Sequence, residues 1–384
     1  MSQPHSSLSR VLLRNYKSIR NCDVPLGPLT FLVGPNGAGK SNFVEAVRLL
    51  AYALSTSLEQ AVANRSGAIS ILHRGHEGNP VISFDLFFEL GNGSKGHYSV
   101  DLDAPFEGPV VVLREECAVE SASRRDWFRV TQGVVESNQG VVPAASDNKL
   151  YLVNASGLAA FEPVYRTLSE VVVYNPVPDE IRGFHAATRY RSLDRTGSAL
   201  AEILFRLKSS SPERLVRIVE YLRRINPQVI SVDAKAVDAN YNLSFELNAG
   251  SGLEHQFWTQ SISDGTLRAL AILVALFQEP DRYPVEIIAL EEPEAGLHPA
   301  AAAVLFDSLV EASLYRQVIV TSHSPDLLDR DDIPAHSLRA VAMDQGQTII
   351  GEADAVARKA MRDRLYTAGE LMRMDQLRPE GLAV

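Results

Sequence analysis

The spacing of apolar positions in the first part of the chain predicts several strands and one buried helix. Short strands are expected at residues 10–14 and at Leu29–Val33, the second ending abruptly at Gly34. Residues 41–54 follow a helical pattern that is apolar around most of its circumference, which is typical of a buried helix. From 81 to 153 the pattern is β-like, with Gly, Asn and Ser between the apolar runs, so we expect an antiparallel β lobe there.

The rest of the chain alternates between helices and strands. Helices are expected at 198–207 and Pro212–Ile225, the second opened by Ser211 as N-cap, and strand character returns at 229–247. Another helix begins near Asp264, and nearly continuous apolar strands at 285–290 and 317–321 flank a helix at 300–315. Buried strands separated by helices indicate a parallel sheet covered on both faces, so the expected fold class is α/β.

Composition and charge narrow the class of protein. The chain has 384 residues, and 37 basic against 47 acidic residues give a formal net charge of −10. This charge repels polyanions, so any nucleic-acid surface must be local. The two cysteines, Cys22 and Cys117, fit neither a disulfide framework nor a cysteine-based zinc site. No apolar run approaches the ~20 residues of a membrane span, so we expect a soluble cytoplasmic protein with no membrane contact.

A phosphate-binding motif follows the strand at Leu29–Val33. Residues 34–41 read Gly-Pro-Asn-Gly-Ala-Gly-Lys-Ser, which matches G-x-x-x-x-G-K-[S/T] between a strand and a helix. Gly34, Gly37 and Gly39 let backbone N–H groups turn inward toward phosphate oxygens. Lys40 is expected to reach the β- and γ-phosphates of ATP, and Ser41 to ligate Mg²⁺. A Gly-rich turn alone would not explain Lys-Ser at this offset.

Two adjacent carboxylates end the predicted strand at 285–290. Glu291 and Glu292 lie at the carboxyl edge of this strand, which is where ligands bind in open α/β sheets. One carboxylate can hold Mg²⁺ through water and the other can polarise an attacking water, as phosphoryl transfer requires. Acidic residues that merely end a strand at the surface are the alternative, which the phosphate loop disfavours.

Four motifs in a fixed order resemble one known family. They are the phosphate loop at 34–42, Ser-Asp-Gly-Thr-Leu-Arg at 263–268, Ala-Leu-Glu-Glu-Pro-Glu-Ala-Gly-Leu-His-Pro at 289–299 and Val-Thr-Ser-His-Ser-Pro at 320–325. The set resembles the ABC-type ATPases of the SMC and RecF branch. It is more closely similar to the short bacterial AAA-family ATPases related to the OLD (overcoming lysogenisation defect) proteins. The middle of the chain carries no motif of this kind.

The resemblance implies a P-loop NTPase fold of ABC type, with a mixed or parallel sheet core, an antiparallel β lobe and a helical inserted subdomain. It divides the chain into the N-terminal half of the ATPase core at 1–90, a β-rich lobe with the helical insertion at 91–254, the C-terminal half of the core at 255–350 and a helical tail at 351–384.

The same resemblance assigns roles near the phosphates. Asn36 and Asn42 join the phosphate-loop residues that bind the nucleotide. Glu291 matches the magnesium-associated acid and Glu292 the catalytic base. The family more often has Asp at the first of these positions, so Glu291 adds a methylene beside the metal. His323 matches the switch histidine that senses the γ-phosphate.

A signature loop is implied at 263–266. Ser263 and Gly265 match the positions that meet the γ-phosphate bound by another subunit, although a Ser-Asp-Gly turn alone would be an ordinary N-cap. The glutamine that the family carries beyond the first helix is not evident between residues 70 and 78.

Four weaker features remain. His73 and His76 have helical spacing, but a solvated loop is favoured over a metal site. A basic segment around Tyr190 offers contacts to nucleic-acid phosphates, with ion pairs in a solvated loop as the favoured alternative; its members are Arg182, His185, Arg189, Arg191 and Arg195. Arg124 and Arg125, beside Trp127, form a second candidate. Residues 358–377 are expected to form a mixed-charge helix for packing or partner docking.

The expected function is an ATPase that forms a two-fold dimer around two nucleotides and serves DNA repair or phage defence. Its expected partners are a second copy, DNA and a separate nuclease or toxin effector, because the chain after His323 is too short for an OLD-type nuclease domain. The alternative is an ATP-gated scaffold or sensor that holds an effector with little turnover. A transporter subunit is disfavoured because the signature loop lacks a Gly-Gly-Gln ending, and a P-loop kinase requires neither this loop nor His323.

Overall fold

The computed structural model describes residues 5–73, 81–105, 108–140, 142–146, 149–183, 192–237, 240–248, 254–278 and 285–382. Within these ranges the strands, numbered along the chain, are β1 Ser7–Tyr16, β2 Ile19–Pro25, β3 Leu29–Val33, β4 Val81–Glu89, β5 Lys95–Asp103, β6 Val111–Glu120, β7 Arg125–Thr131, β8 Val134–Ser137, β9 Val172–Tyr174, β10 Val229–Val237, β11 Asn240–Asn248, β12 Glu254–Trp258, β13 Ile287–Glu291, β14 Gln317–Ser322, β15 Leu338–Asp344 and β16 Gln347–Gly351. The α-helices are α1 Lys40–Ser55, α2 Leu58–Ala63, α3 Tyr151–Ala155, α4 Glu162–Ser169, α5 Pro178–Arg182, α6 Leu200–Ser210, α7 Pro212–Ile225, α8 Asp264–Phe277, α9 Pro299–Ala312, α10 Ala355–Arg362 and α11 Ala368–Arg373.

The core sheet carries the motif loops. Its strand order is β16-β15-β3-β14-β13-β9, in which all pairs are parallel except β15 with β16. Alternate side chains of β13 enter two hydrophobic clusters. Ile287 and Ala289 pack in the cluster of α1 and the antiparallel strands, whereas Ile288 and Leu290 pack with α8 and α9. This confirms the predicted parallel sheet covered on both faces.

The antiparallel lobe is also present, and the N-terminal strands belong to it. Its strand order is β2-β1-β4-β5-β6-β7-β8. The lobe was expected to continue to residue 153, but a helix, α3, begins at Tyr151. The backbone N–H groups of Tyr151 and Leu152 donate to the buried Glu115 carboxylate at 2.6 and 2.7 Å, which fixes the start of this helix. The predicted division at residue 90 falls in the turn between β4 and β5, two neighbouring strands of one sheet. The domain limits therefore remain a prediction.

A small antiparallel sheet packs with two helices in the middle of the chain. The strand character expected at 229–247 is confirmed, but it belongs to two strands, β10 and β11, which pair with each other and with β12. Helices α6 and α7 occur where the apolar spacing predicts them, and α7 buries Ile218, Tyr221 and Leu222 against the cluster that contains α8.

The C-terminal segment differs from its prediction. The helix expected at 358–377 is two short helices, α10 and α11. Arg364 lies between them with a φ of +53°, which ends the first helix, and Thr367 opens the second through a capping box with Glu370. The second helix packs on residues 325–328, just after His323, and a Cβ on Gly369 would lie 2.4 Å from the Pro325 carbonyl oxygen.

Among the residues that the structure describes, no helix has both the length and the apolar character needed to span a bilayer.

Candidate nucleotide-binding site

Three motif loops meet at the carboxyl edge of the core sheet because their strands are neighbours in parallel register. Val33 of β3 pairs with Ser322 of β14, and Thr321 of β14 pairs with Glu291 of β13. The Gly34 N–H donates to the Ser322 carbonyl at 3.3 Å. The phosphate loop, the paired glutamates and the segment that holds His323 therefore leave the sheet side by side.

Lys40 lies in the middle of the phosphate loop. Its side chain is buried, and Nζ donates to the carbonyl oxygens of Gly34 at 2.8 Å and Pro35 at 2.9 Å, which holds the loop in a closed curve. Burial lowers the pKa of Lys40, while the nearby Glu292 and Glu294 carboxylates oppose that shift. Asn36 and Gly37 are exposed at the tip of this curve. The phosphate cradle that the motif predicts here stays a prediction.

The glycines of the loop are required by packing as well as by backbone conformation. Gly39 has a φ of +100°, and a Cβ there would lie 1.9 Å from Thr348 Oγ1 on β16. A Cβ on Gly34 would lie 2.0 Å from the Val341 carbonyl oxygen on β15. The β15–β16 pair thus presses directly on the phosphate loop, a contact that the sequence pattern does not indicate.

A chain of polar side chains continues this contact. Thr348 Oγ1 donates to the Ala38 carbonyl at 2.9 Å and lies 2.6 Å from Ser18 Oγ. Asn42 Nδ2 donates to the same Ser18 hydroxyl at 2.6 Å. Asn42, predicted from the resemblance to bind nucleotide, here joins α1 to the turn between β1 and β2. Sequence reasoning missed Ser18 and Thr348, because neither belongs to a motif.

The candidate base and the candidate switch histidine face each other. Glu292 has a φ of +46°, a conformation that costs an ordinary residue about 1–2 kcal/mol. Its N–H donates to the Thr321 carbonyl at 3.0 Å. His323 Nδ1 lies 3.1 Å from Glu292 Oε1, and both side chains are about a third exposed. Strained backbone of this kind clusters at functional sites.

Glu291 is engaged by an arginine that the sequence analysis assigned to a basic surface. The buried Glu291 carboxylate accepts from Arg195 Nη2 at 2.6 Å, and the same guanidinium lies 3.3 Å from Glu45 Oε1 on α1. Glu45 also pairs with Arg48 at 2.7 Å. Arg195 therefore belongs to the glutamate edge of the site, and it forms ion pairs, as the favoured alternative to a nucleic-acid contact expected.

A third carboxylate of the same loop was missed. Glu294 is buried, and its Oε1 accepts from Ser322 Oγ at 2.5 Å. Within the described ranges its Oε2 has no hydrogen-bond partner. Burial raises the pKa of Glu294. The sequence Glu-Glu-Pro-Glu shows that a third acidic residue follows the pair, but its spacing alone does not show that the Glu294 side chain is buried.

The signature loop is built against the segment that follows the glutamates. Ser263 is the N-cap of α8, and its hydroxyl accepts from the Thr266 N–H at 3.4 Å, so the ordinary N-cap is also present. A Cβ on Gly265 would lie 2.4 Å from the Gly296 carbonyl oxygen. Arg182 Nη2 donates to the Ile262 carbonyl at 2.8 Å and to Asp264 Oδ1 at 2.5 Å.

Helix α8 is also tied to the glutamates themselves. Arg268 Nη2 donates to the carbonyl oxygens of Glu291 at 3.0 Å and Glu292 at 3.1 Å, and Nη1 donates to the Pro176 carbonyl at 2.6 Å. Movement of α8 would therefore pull on the backbone that carries both candidate carboxylates. Arg268 stood in the quoted motif without an assigned role.

The remaining candidates are placed as follows. Arg182, like Arg195, contacts the core, and it also pairs with Asp179 as the ion-pair alternative predicted. Tyr190, His185, Arg189 and Arg191 lie outside the described residues, as does His76. His73 is buried rather than solvated, because its Nδ1 donates to the Lys17 carbonyl at 2.7 Å. Arg124 pairs with Asp126 at 2.5 Å.

The residues at this edge suit Mg²⁺ in the way that nucleotide enzymes hold it. Ser41 is exposed at the start of α1 and can offer its hydroxyl. Glu294 Oε2, which has no hydrogen-bond partner among the described residues, lies in the loop that also carries Glu291 and Glu292. Mg²⁺ prefers such oxygen donors and binds through one or two protein groups together with substrate phosphates and water. The described residues contain no cluster of three His, Cys, Asp or Glu side chains that would bind a metal by itself.

Two family models and two curated nucleases match this chain. A family model described as an AAA domain, putative AbiEii toxin, Type IV TA system, matches residues 152–329, and an AAA ATPase domain model matches 7–89. Endonuclease GajA of Bacillus cereus is 21% identical over 383 residues, which cover 94% of this chain and 63% of GajA. The OLD nuclease of Thermus scotoductus is 24% identical over 405 residues, which cover 98% of this chain and 70% of that protein.

Solved structures show the same fold. An Smc head bound to the C-winged helix domain of ScpA superimposes with a TM-score of 0.56 at 16% identity, covering 92% of this chain and 99% of the head. The chain thus matches a whole Smc head, but less than two thirds of GajA. Together, the two AAA-domain models, the GajA and OLD relatives and the Smc head fold support an SMC-like, ABC-type ATPase of the AAA family that is related to the OLD proteins.

Proposed function

We propose that this chain binds ATP with Mg²⁺, hydrolyses it to ADP and phosphate, and closes into a two-fold dimer around two nucleotides. The observation that carries the proposal is the convergence of Lys40, Glu292 and His323 at one sheet edge, through the parallel register of β3, β14 and β13. The signature loop packs against Gly296 and Arg182, and in the proposed dimer it would face the nucleotide of a second copy.

Each group has a chemical task in this reaction. The phosphate-loop N–H groups and Lys40 bind and orient the phosphates. Glu292 takes a proton from the attacking water, and His323, beside Glu292, donates a hydrogen bond to the γ-phosphate. Ser41 and Glu291 are the proposed Mg²⁺-associated residues, and Mg²⁺ when bound neutralises phosphate charge. Glu294 adds a third carboxyl to that loop.

A DNA-related task, in repair or phage defence, is the proposed role of the ATPase cycle, since both relatives reported above are named nucleases. Because the chain spans 63% of GajA and 70% of the OLD nuclease, the nuclease activity of those proteins is not transferred to it. DNA and a separate nuclease or toxin effector remain its proposed partners, and the cytoplasm its proposed location. The ATP-gated scaffold with little turnover remains the alternative.

Two substitutions test the proposal. Lys40→Ala should abolish binding of a fluorescent ATP analogue without unfolding the protein, because the Lys40 ammonium bonds carbonyl oxygens of its own loop and is expected to supply charge to the phosphates. Glu292→Gln should bind ATP normally, lose about 10²–10⁴-fold in phosphate release and accumulate a dimer in light scattering with ATP and Mg²⁺. Glu352→Gln, at an exposed carboxylate paired with Arg358, is the matched control and should resemble wild type.

The outcomes separate the alternatives. Unchanged ATP affinity in Lys40→Ala would refute the phosphate-loop assignment. A trapped dimer in Glu291→Gln but not in Glu292→Gln would reverse the roles of the two glutamates. An ATP-dependent dimer in wild type whose phosphate release is no faster than that of Glu292→Gln would favour the scaffold.

A further inference from the structure

The exposed face of the signature loop carries a negative charge. Gly265 turns inward against Gly296, and the Ser263 hydroxyl is bonded to Thr266 in the N-cap. Asp264 is the first residue of α8, and its side chain is 71% exposed. The N-terminus of a helix attracts phosphate, but a carboxylate in its first turn offsets that attraction and repels the anion. An acidic residue at this position thus conflicts with binding a γ-phosphate.

Arg182 forms an ion pair with this acidic residue, Asp264. It ends α5, its side chain is only 22% exposed, and Nη2 lies 2.5 Å from Asp264 Oδ1. The same nitrogen donates to the Ile262 carbonyl at 2.8 Å, and Nη1 lies 3.1 Å from Asp179 Oδ1. The guanidinium is therefore fixed at three points, and it orients the Asp264 carboxylate while sharing its single positive charge between Asp264 and Asp179.

We propose that Arg182 is a positioning residue that holds the Asp264 carboxylate aside, so that the signature loop can accept the γ-phosphate bound by a second copy of the chain. This inference rests on the proposed ATP-driven dimer. Without Arg182, two negative groups would meet at each nucleotide. Since a two-fold dimer contains two signature loops, a loss of about tenfold at each site becomes about a hundredfold in the dimer dissociation constant.

A double-mutant cycle in the Glu292→Gln background tests the pairing. The dimer dissociation constant is measured by analytical ultracentrifugation with ATP and Mg²⁺ for Arg182→Gln, Asp264→Asn and the double variant. Arg182→Gln should weaken the dimer by about a hundredfold, and by less at high salt, because an exposed charge is screened. Asp264→Asn removes the negative charge from the signature loop and leaves Arg182 paired with Asp179, so this variant should tighten the dimer. The double variant should return to within about threefold of the Glu292→Gln parent.

Controls separate this role from a structural one. Arg358→Gln removes a surface arginine of the C-terminal segment and should leave the dimer unchanged. ATP affinity of the monomer and thermal unfolding, measured for every variant, identify any that fails to fold.

Three results would overturn the inference. The first is an Arg182→Gln dimer that is as tight as the parent. The second is a folded double variant whose dimer is as weak as that of Arg182→Gln, which would leave Arg182 only as an anchor of the Ile262 carbonyl. The third is a loss of dimer affinity in Arg182→Gln that does not change with salt concentration. If the parent itself forms no dimer with ATP, the proposed function fails and the inference fails with it.

Discussion

Glu115 should make the stability of the protein depend on pH. Its carboxylate is 1% exposed and accepts hydrogen bonds from the Tyr98 hydroxyl at 3.0 Å and from the N–H groups of Tyr151 and Leu152. Burial raises the pKa of Glu115 from 4.5 to about 7, because these three hydrogen bonds only partly replace the lost water. The folded protein therefore keeps a proton that the unfolded chain releases.

The sign and size of the effect follow from linkage. The stability that protonated Glu115 contributes is complete below pH 4.5, and it is lost as the pH rises through the folded pKa of about 7. The difference, 7 minus 4.5, is about 2.5 pH units, which corresponds to about 3 kcal/mol of unfolding free energy. Stability should fall by about this amount from the acid side of the range to the alkaline side.

Urea unfolding of Glu115→Gln and wild type at a series of pH values between about 5 and 8 measures this slope. Glutamine cannot ionise, so the variant should lack the part of the slope that Glu115 contributes. It should also be less stable than wild type at the acid end, because its amide group faces a backbone N–H that needs an acceptor. Glu116→Gln is the control. The Glu116 side chain lies on the other face of β6 and pairs with Arg129 of β7, so this variant should keep the pH dependence of the wild type. Equal slopes in wild type and Glu115→Gln would refute the reasoning.

Two further predictions concern the loops of the site. Ser263→Arg should block ATP-driven dimer formation, measured by light scattering, and leave ATP binding by the monomer nearly unchanged, because the loop is expected to face a second copy. An equal loss of ATP binding by the monomer would place the loop in its own subunit's site. Gly39→Ala should lower both ATP affinity and stability more than Gly37→Ala, since both glycines have positive φ but only a Cβ on Gly39 meets Thr348. Calorimetric titration and thermal unfolding compare the two, and similar losses would mean that backbone strain, about 1–2 kcal/mol, is the whole effect.

Elements with a strong local pattern were predictable, and those that depend on distant partners were not. The apolar runs of β13 and β14 and the helix α8 follow from residues adjacent in the chain. The membership of β1 and β2 in the antiparallel sheet does not, because it depends on the pairing of β1 with β4, and β3, α1 and α2 all lie between β2 and β4 in the chain. The break between α10 and α11 depends on a single left-handed residue, Arg364, which helical periodicity cannot show.

The sequence by itself determined the motif chemistry of the site. A phosphate loop needs glycines and Lys-Ser at set offsets, and two carboxylates at the end of an apolar strand are recognisable without coordinates. Only the tertiary structure decided which other side chains complete the site. Arg195 reaches Glu291 across 96 positions, Arg182 reaches Asp264 across 82, and Ser18 contacts Thr348 across 330. Strand order creates these contacts, and it depends on long-range packing that no short pattern of residues contains.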